Sequence, residues 1–163
     1  GGGGVEDVTR GGRDFGGGER DTRYLRRAGR RATEAGNVRF TTLTRSTQAR
    51  HLDAAFSEQQ GPFHARLMNS MWTRSTMVGA SVARLTQGTL VAQLGLGDIR
   101  FPHPLFAGDT LYTESVVTAM RPSSSRPGQG IVEIAHTGRN QDGTIVATAT
   151  RSVLVHRRPE EIA

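Results

Sequence analysis

The sequence predicts an α+β fold in which one antiparallel sheet wraps around a single long central helix. Three observations carry this. Between residues 65 and 86 the apolar side chains of Leu67, Met71, Val78, Val82 and Leu85 recur at spacings of three, four or seven, which places them on one face of a helix. After Gly88 the period shortens toward two, giving strands at residues 90–100, 110–120, 131–137 and 144–156. The breaks between the last three are PSSSRPGQG and NQDG, both turn-forming, the second a compact Asp-Gly hairpin signal. A helix of about 20 residues is about 30 Å long and a strand of about 11 residues reaches roughly 35 Å, so such strands can cover the helix along its length.

The elements follow in order. Residues 1–18 are rich in glycine and charge and nearly free of apolar side chains, so they read as a flexible tail preceding one domain at 19–163. Residues 22–32 predict a short strand, and 37–43, with Val38, Phe40 and Leu43 among threonines, a short helix or an irregular segment. Asp53 is placed to cap a short helix through Ala54, Ala55 and Phe56 that ends before Gly61 and Pro62. On the long helix, Met68, Met71, Met77 and Trp72 are core candidates, and the small residues Ser75, Gly79, Ala80 and Ser81 permit close packing. Residues 101–108, with Pro102, Pro104 and Gly108, form a loop. In the last strand Ile145, Ala147, Ala149, Val153 and Val155 share one face, which Arg151 interrupts.

Composition narrows the function classes. The 163-residue chain has no cysteine, so neither disulfides nor thiolate metal sites enter. No apolar run approaches the roughly 18 residues of a membrane span, and the first residues lack signal-peptide order, so a cytoplasmic protein with no membrane partner is expected. The formal net charge of +6, with six arginines between Arg20 and Arg31, raises nucleic acid as a partner. Against it, all the basic residues other than histidine are arginines and only Tyr24 lies among that cluster, so no stacking platform accompanies the charge. No nucleic-acid partner is expected, and these arginines read as a solvated strand edge. His64, His103, His136 and His156 show no metal-ligand spacing and no nucleotide-binding glycine fingerprint is present, so neither a metal nor a cofactor is expected.

The order of elements, the GDTLY stretch at residues 108–112, SSSRPGQGIVEI, RRATEAGNVRFTTLT and the ending NQDGTIVATATRSVLVHRR together resemble the MaoC-like branch of the hot-dog fold. Within that branch the chain is most similar to the mesaconyl-CoA hydratase and β-methylmalyl-CoA dehydratase types. The resemblance runs from about Gly12 through nearly the whole chain, and it implies a hot-dog domain that hydrates or dehydrates an acyl thioester carried by CoA or a carrier protein.

Hydratases of this branch carry a D-x-N-P-x-H segment on a loop entering a short helix. Their Asp and His hold one water, while a backbone N–H at the start of the long helix polarises the thioester carbonyl. In TRSTQARHLDAAF the resemblance implies that His51 holds the histidine position, Gln48 the asparagine position, Ala49 the proline position and Ser46 the aspartate position. A serine hydroxyl positions water but does not take its proton near neutral pH, so His51 becomes the remaining acid-base group, with Ser46 and Gln48 orienting. Asp53 is a possible substitute carboxylate as well as a cap; Glu34 and Asp109 are weaker substitutes, Asp109 reading chiefly as a turn former. Asn69 and Ser70 fall where the branch has His-Gly or Asn-Gly, so Ser70 supplies the carbonyl-binding N–H, and Arg121 and Arg126 are placed to attract the phosphates of the carrier arm. The unpaired sheet edge of the fold predicts a homodimer. Two alternatives stand beside the enzyme: a thioester-binding protein without hydratase activity, and a hot-dog thioesterase.

Overall fold

A computed structural model describes residues 26–157. Strand β1 (Arg26–Arg31) leads into helix α1 (Glu34–Leu43), short helices α2 (Ala49–Leu52) and α3 (Ala54–Gln60), and the central helix α4 (Ser70–Ser81). A π-helical turn over Val82–Thr86 extends α4, followed by β2 (Leu90–Arg100), β3 (Thr110–Pro122), β4 (Gln129–Arg139) and β5 (Ile145–His156). All pairings are antiparallel, and the five strands stand in the order β1-β3-β4-β5-β2. This is the predicted single sheet against one central helix, the hot-dog arrangement. The predicted tail at 1–18, and the first residues of the predicted 22–32 strand, lie outside the described residues.

The central helix departs from its predicted bounds at both ends. It begins at Ser70, not at residue 65, because Met68 N–H donates to Leu105 O at 2.9 Å and Leu67 bridges Phe106, which holds those residues extended. Asn69 then caps the helix, its side chain accepting from Met71 N–H at 3.0 Å. At the other end regular α-helix stops at Ser81, and Gln87 N–H reaches back five residues to Val82 O at 2.8 Å. The buried face is also rotated from the predicted one. Trp72, Thr73, Met77, Ser81 and Leu85 are buried, whereas Met71 is 40 % exposed. Two of the apolar positions that set the periodicity, Leu67 and Met71, therefore do not belong to the helix's core stripe. The small flank is open: a groove of about 600 Å³ runs along Trp72, Ser75, Thr76, Gly79 and Ala80 beside β1.

Turn chemistry holds where it was read. In NQDG, the Asn140 side chain accepts from Asp142 and Thr144 N–H, both at 3.0 Å, and Gly143 takes φ +82, a conformation that costs glycine little. Residues 37–43 are helical within α1, and Asp53 caps α3 by accepting from Phe56 N–H at 2.9 Å. The separate turn of α2 was not expected. β1 is an edge strand, and its Arg30 and Arg31 are exposed there.

The core has two apolar halves with a polar layer between them. One half holds Met77, Leu111 and Ala147 with Trp72 and Leu105; the other holds Leu85, Val117, Ile134, Val153 and Val155. Along α4 and its π turn, β3 and β5, the residue between the halves is Ser81, Ser115 or Arg151, and His136 joins them from β4. Arg151 is 3 % exposed and donates from Nε to His136 Nε2 at 3.1 Å and from Nη2 to Ser81 Oγ at 2.7 Å. It interrupts the strand's apolar face as read, and it does so from inside the core. Because a guanidinium can only donate, His136 Nε2 must accept, which leaves its proton on Nδ1 for Ser115 Oγ at 2.8 Å. Burial, and then the adjacent Arg151 charge, push the His136 pKa down to about 4. Burial likewise lowers the Arg151 pKa from its ordinary value.

Candidate active site

The site forms where three segments that are remote in sequence meet: the end of the α1 face, the loop and helix α2, and the entry to α4. Chain direction through the loop is set by backbone bonds. Ser46 N–H donates to Thr41 O at 3.0 Å, Gln48 N–H to Ser46 O at 2.9 Å, and His51 N–H to Gln48 O at 3.0 Å. Leu67 N–H donates to Arg50 O at 3.1 Å and ties α2 to the extended run before α4.

His51 is half-buried, and its Nδ1 lies 3.0 Å from Leu67 O. A carbonyl oxygen only accepts, so this bond requires a proton on Nδ1, and in the neutral ring Nε2 is then the atom with the lone pair. None of the three carboxylates considered from the sequence is bonded to it. Asp53 caps α3, Glu34 pairs with Arg66, and Asp109 accepts from Phe106 N–H at 2.9 Å and Gln141 Nε2 at 2.8 Å.

At the entry to α4, Asn69 is 3 % exposed and Ser70 is exposed. The Asn69 N–H is used by Asn37 Oδ1 at 2.8 Å and the Met71 N–H by the Asn69 side chain. Among the described residues no acceptor is recorded for the Ser70 N–H, the first of the helix. It stands at the positive end of α4, where an oxygen gaining negative charge is stabilised.

The structure therefore brings His51 and the Asn69–Ser70 turn together through Leu67. Ser46 and Gln48 are exposed on the same loop, and no side-chain hydrogen bond from either to His51 is recorded among the described residues. Gln48 is the N-cap of α2 by position, without a capping side-chain bond. Arg121 and Arg126 are exposed at the opposite end of β3 and in the turn after it. Arg121 is 11 residues along the strand from Thr110. Asn37 escaped the sequence reading. The available signal was its spacing of four from Thr41, a polar pair on one helical face, and both are buried.

Among proteins of known activity, 68 residues of this chain are 38% identical to the mesaconyl-CoA hydratase of Cereibacter sphaeroides, covering 42% of this chain and 20% of that protein. The chain thus spans a small part of that relative's length. Among solved structures, the MaoC-like dehydratase from Rhodospirillum rubrum superposes with a TM-score of 0.72 at 28% identity, over 85% of this chain and 94% of that one. The (R)-hydratase from A. caviae involved in PHA biosynthesis superposes with a TM-score of 0.71 at 25% identity, over 83% of this chain and 96% of that one. The model of the MaoC like domain matches residues 17–140, a span that takes in the loop of His51, the entry to α4 and the sheet through β4. A match of that extent, across every segment that builds the site, means that this chain belongs to the MaoC-like domain family.

Proposed function

We propose that this chain is a hydratase or dehydratase of enoyl thioesters, with His51 as its acid-base group and serine where the family's hydratases have aspartate. The observation that carries it is the bond of the His51 ring to Leu67 O, which points the Nδ1 proton at Leu67 and ties the histidine to the extended run entering α4, where no acceptor is recorded for the Ser70 N–H among the described residues. In the hydration direction, Nε2 takes a proton from water as the water oxygen bonds to C3 of the enoyl thioester. The electron pair of the C2–C3 double bond moves toward the thioester carbonyl, whose oxygen accepts from Ser70 N–H. The proton held by His51 then returns to C2, so that water is added across the bond and the base is regenerated. Ser46 and Gln48 orient the water. Dehydration is the same path reversed.

The reading is tested by incubating the chain with enoyl-CoA thioesters of differing chain length and following loss of the conjugated thioester absorbance. Turnover supports it; CoA-thioester binding without turnover of either the enoyl or the hydroxyacyl form replaces it with the binding-protein reading, and release of free CoA replaces it with the thioesterase. Ser46→Asp restores a carboxylate to the loop and is expected to raise turnover about tenfold, at the lower side of what general-base assistance contributes. Unchanged or reduced turnover in Ser46→Asp would show that the serine is adapted to this site's own substrate.

We further propose that the functional unit is a homodimer joined along β2. This 11-residue strand is the free edge of the sheet beyond β5, and it exposes Leu90, Val91, Leu94, Leu96 and Ile99. A long apolar edge with unpaired backbone groups is a template for another strand, and a second copy pairing about a two-fold axis closes it. Light scattering should give twice the chain mass of 17.6 kDa at micromolar concentration. Leu94→Lys should shift it toward monomer, and a monomeric parent would overturn the proposal.

A further inference from the structure

We infer that Asn37 is a positioning residue for the proposed reaction, holding the His51 ring in its working tautomer and setting which helix N–H faces the thioester. The inference rests on the hydratase reading for its kinetic consequence, but not for its structural one. Asn37 is 1 % exposed, and its amide is fully committed. Nδ2 donates one hydrogen to His51 O at 3.1 Å and the other to Leu67 O at 2.9 Å, while Oδ1 accepts from Asn69 N–H at 2.8 Å. Two carbonyls on one side and an N–H on the other allow only one orientation of the amide.

The consequence lies in which atoms are shared. Leu67 O receives both Asn37 Nδ2–H and His51 Nδ1–H. The amide therefore holds the His51 backbone and the acceptor of its ring at one fixed separation, and only at that separation does Nδ1 keep the proton. On its other side the amide consumes the Asn69 N–H, so the first open donor at the start of α4 is the one on Ser70. One side chain thus places the base and the carbonyl donor relative to each other. An error of about 1 Å in such a placement can cost up to about 10²-fold in rate.

Asn37→Ala removes all three bonds, and Asn37→Asp keeps an acceptor for Asn69 N–H while losing both donors. Both are expected to lower kcat at least about tenfold with KM changed by less than about twofold. In nitrogen NMR of ring-labelled histidine, the His51 signal should move from the Nδ1–H tautomer toward a mixture. Ser57→Ala serves as the control, since its buried hydroxyl bonds to Arg50 O at 3.2 Å and Asp53 O at 2.8 Å, beside the site but away from His51. It should lower the melting temperature and leave kcat and the tautomer in place.

Loss of kcat and mixing of tautomers in both Asn37 variants would establish the role. An unchanged tautomer, a KM effect alone, a kcat loss no greater than in Ser57→Ala, or failure of both variants to fold would overturn it. If the parent turns over no enoyl thioester, the hydratase reading fails by itself, and the tautomer measurement still decides whether Asn37 holds the ring.

Discussion

His51→Ala is expected to lower hydration of an enoyl thioester by at least about 10²-fold while leaving the fold in place, the lower bound of what a positioned acid-base group contributes. The size follows from the absence of a carboxylate bonded to this histidine among the described residues: with Asp53, Glu34 and Asp109 engaged elsewhere, no recorded partner stands by to take over the proton. The fold should survive because the ring is half-buried and makes one recorded hydrogen bond, whereas α2 is held to the α4 entry by the separate bond from Leu67 N–H to Arg50 O. The measurement is kcat/KM beside a melting curve. A variant with full melting temperature and less than about fivefold loss would remove His51 from the mechanism, because general acid-base groups contribute more than that.

The second large effect is on stability against pH, and it originates in the core. His136 has a folded pKa of about 4 against an ordinary 6.5, so the native state resists its protonation and the unfolded chain does not. The unfolded state therefore binds more protons as the pH falls below about 6.5, and stability declines until the native pKa near 4 is reached. A shift of this size corresponds to about 3 kcal/mol across that window, fully present as stability above pH 6.5 and lost at its lower end. His136→Gln retains an acceptor for Arg151 Nε and a donor for Ser115 Oγ but does not titrate. Urea unfolding of both proteins at intervals from pH 7 to pH 4 should give curves whose difference changes by about this amount. A difference that stays flat across the window would mean that His136 takes up its proton as readily in the fold as in the unfolded chain, and that the Arg151 contact is not as described.

How much of this was legible in the sequence differs by element. The four long strands and their turns were read nearly to their ends, because alternation and turn residues report backbone geometry that each segment adopts locally. His51 was legible for a different reason: its loop keeps a spacing that resembles a known arrangement, so position stood in for geometry. The start of α4 was misread because Leu67 happens to fall in phase with the helix. Nothing local reveals that Leu67 instead bridges Phe106, 39 residues onward, so helical spacing there described a segment held extended by another part of the chain.

Within the sequence itself lay the class of fold, the order of its elements, the cap at Asp53, the turn in NQDG, and the histidine put forward for the proposed chemistry. Tertiary structure alone decided the partners of the polar residues. Asn37 reads as an ordinary polar residue in a helix until folding brings His51, 14 positions away, and Leu67, 30 positions away, to its amide. Arg151 reads as a flaw in an apolar face until Ser81 and His136, 70 and 15 positions away, meet its guanidinium inside the core. Periodicity records which way a side chain points along its own element. A buried polar group is made tolerable only by the donor or acceptor it meets, and those partners come from elements whose proximity depends on how the sheet closes around the helix.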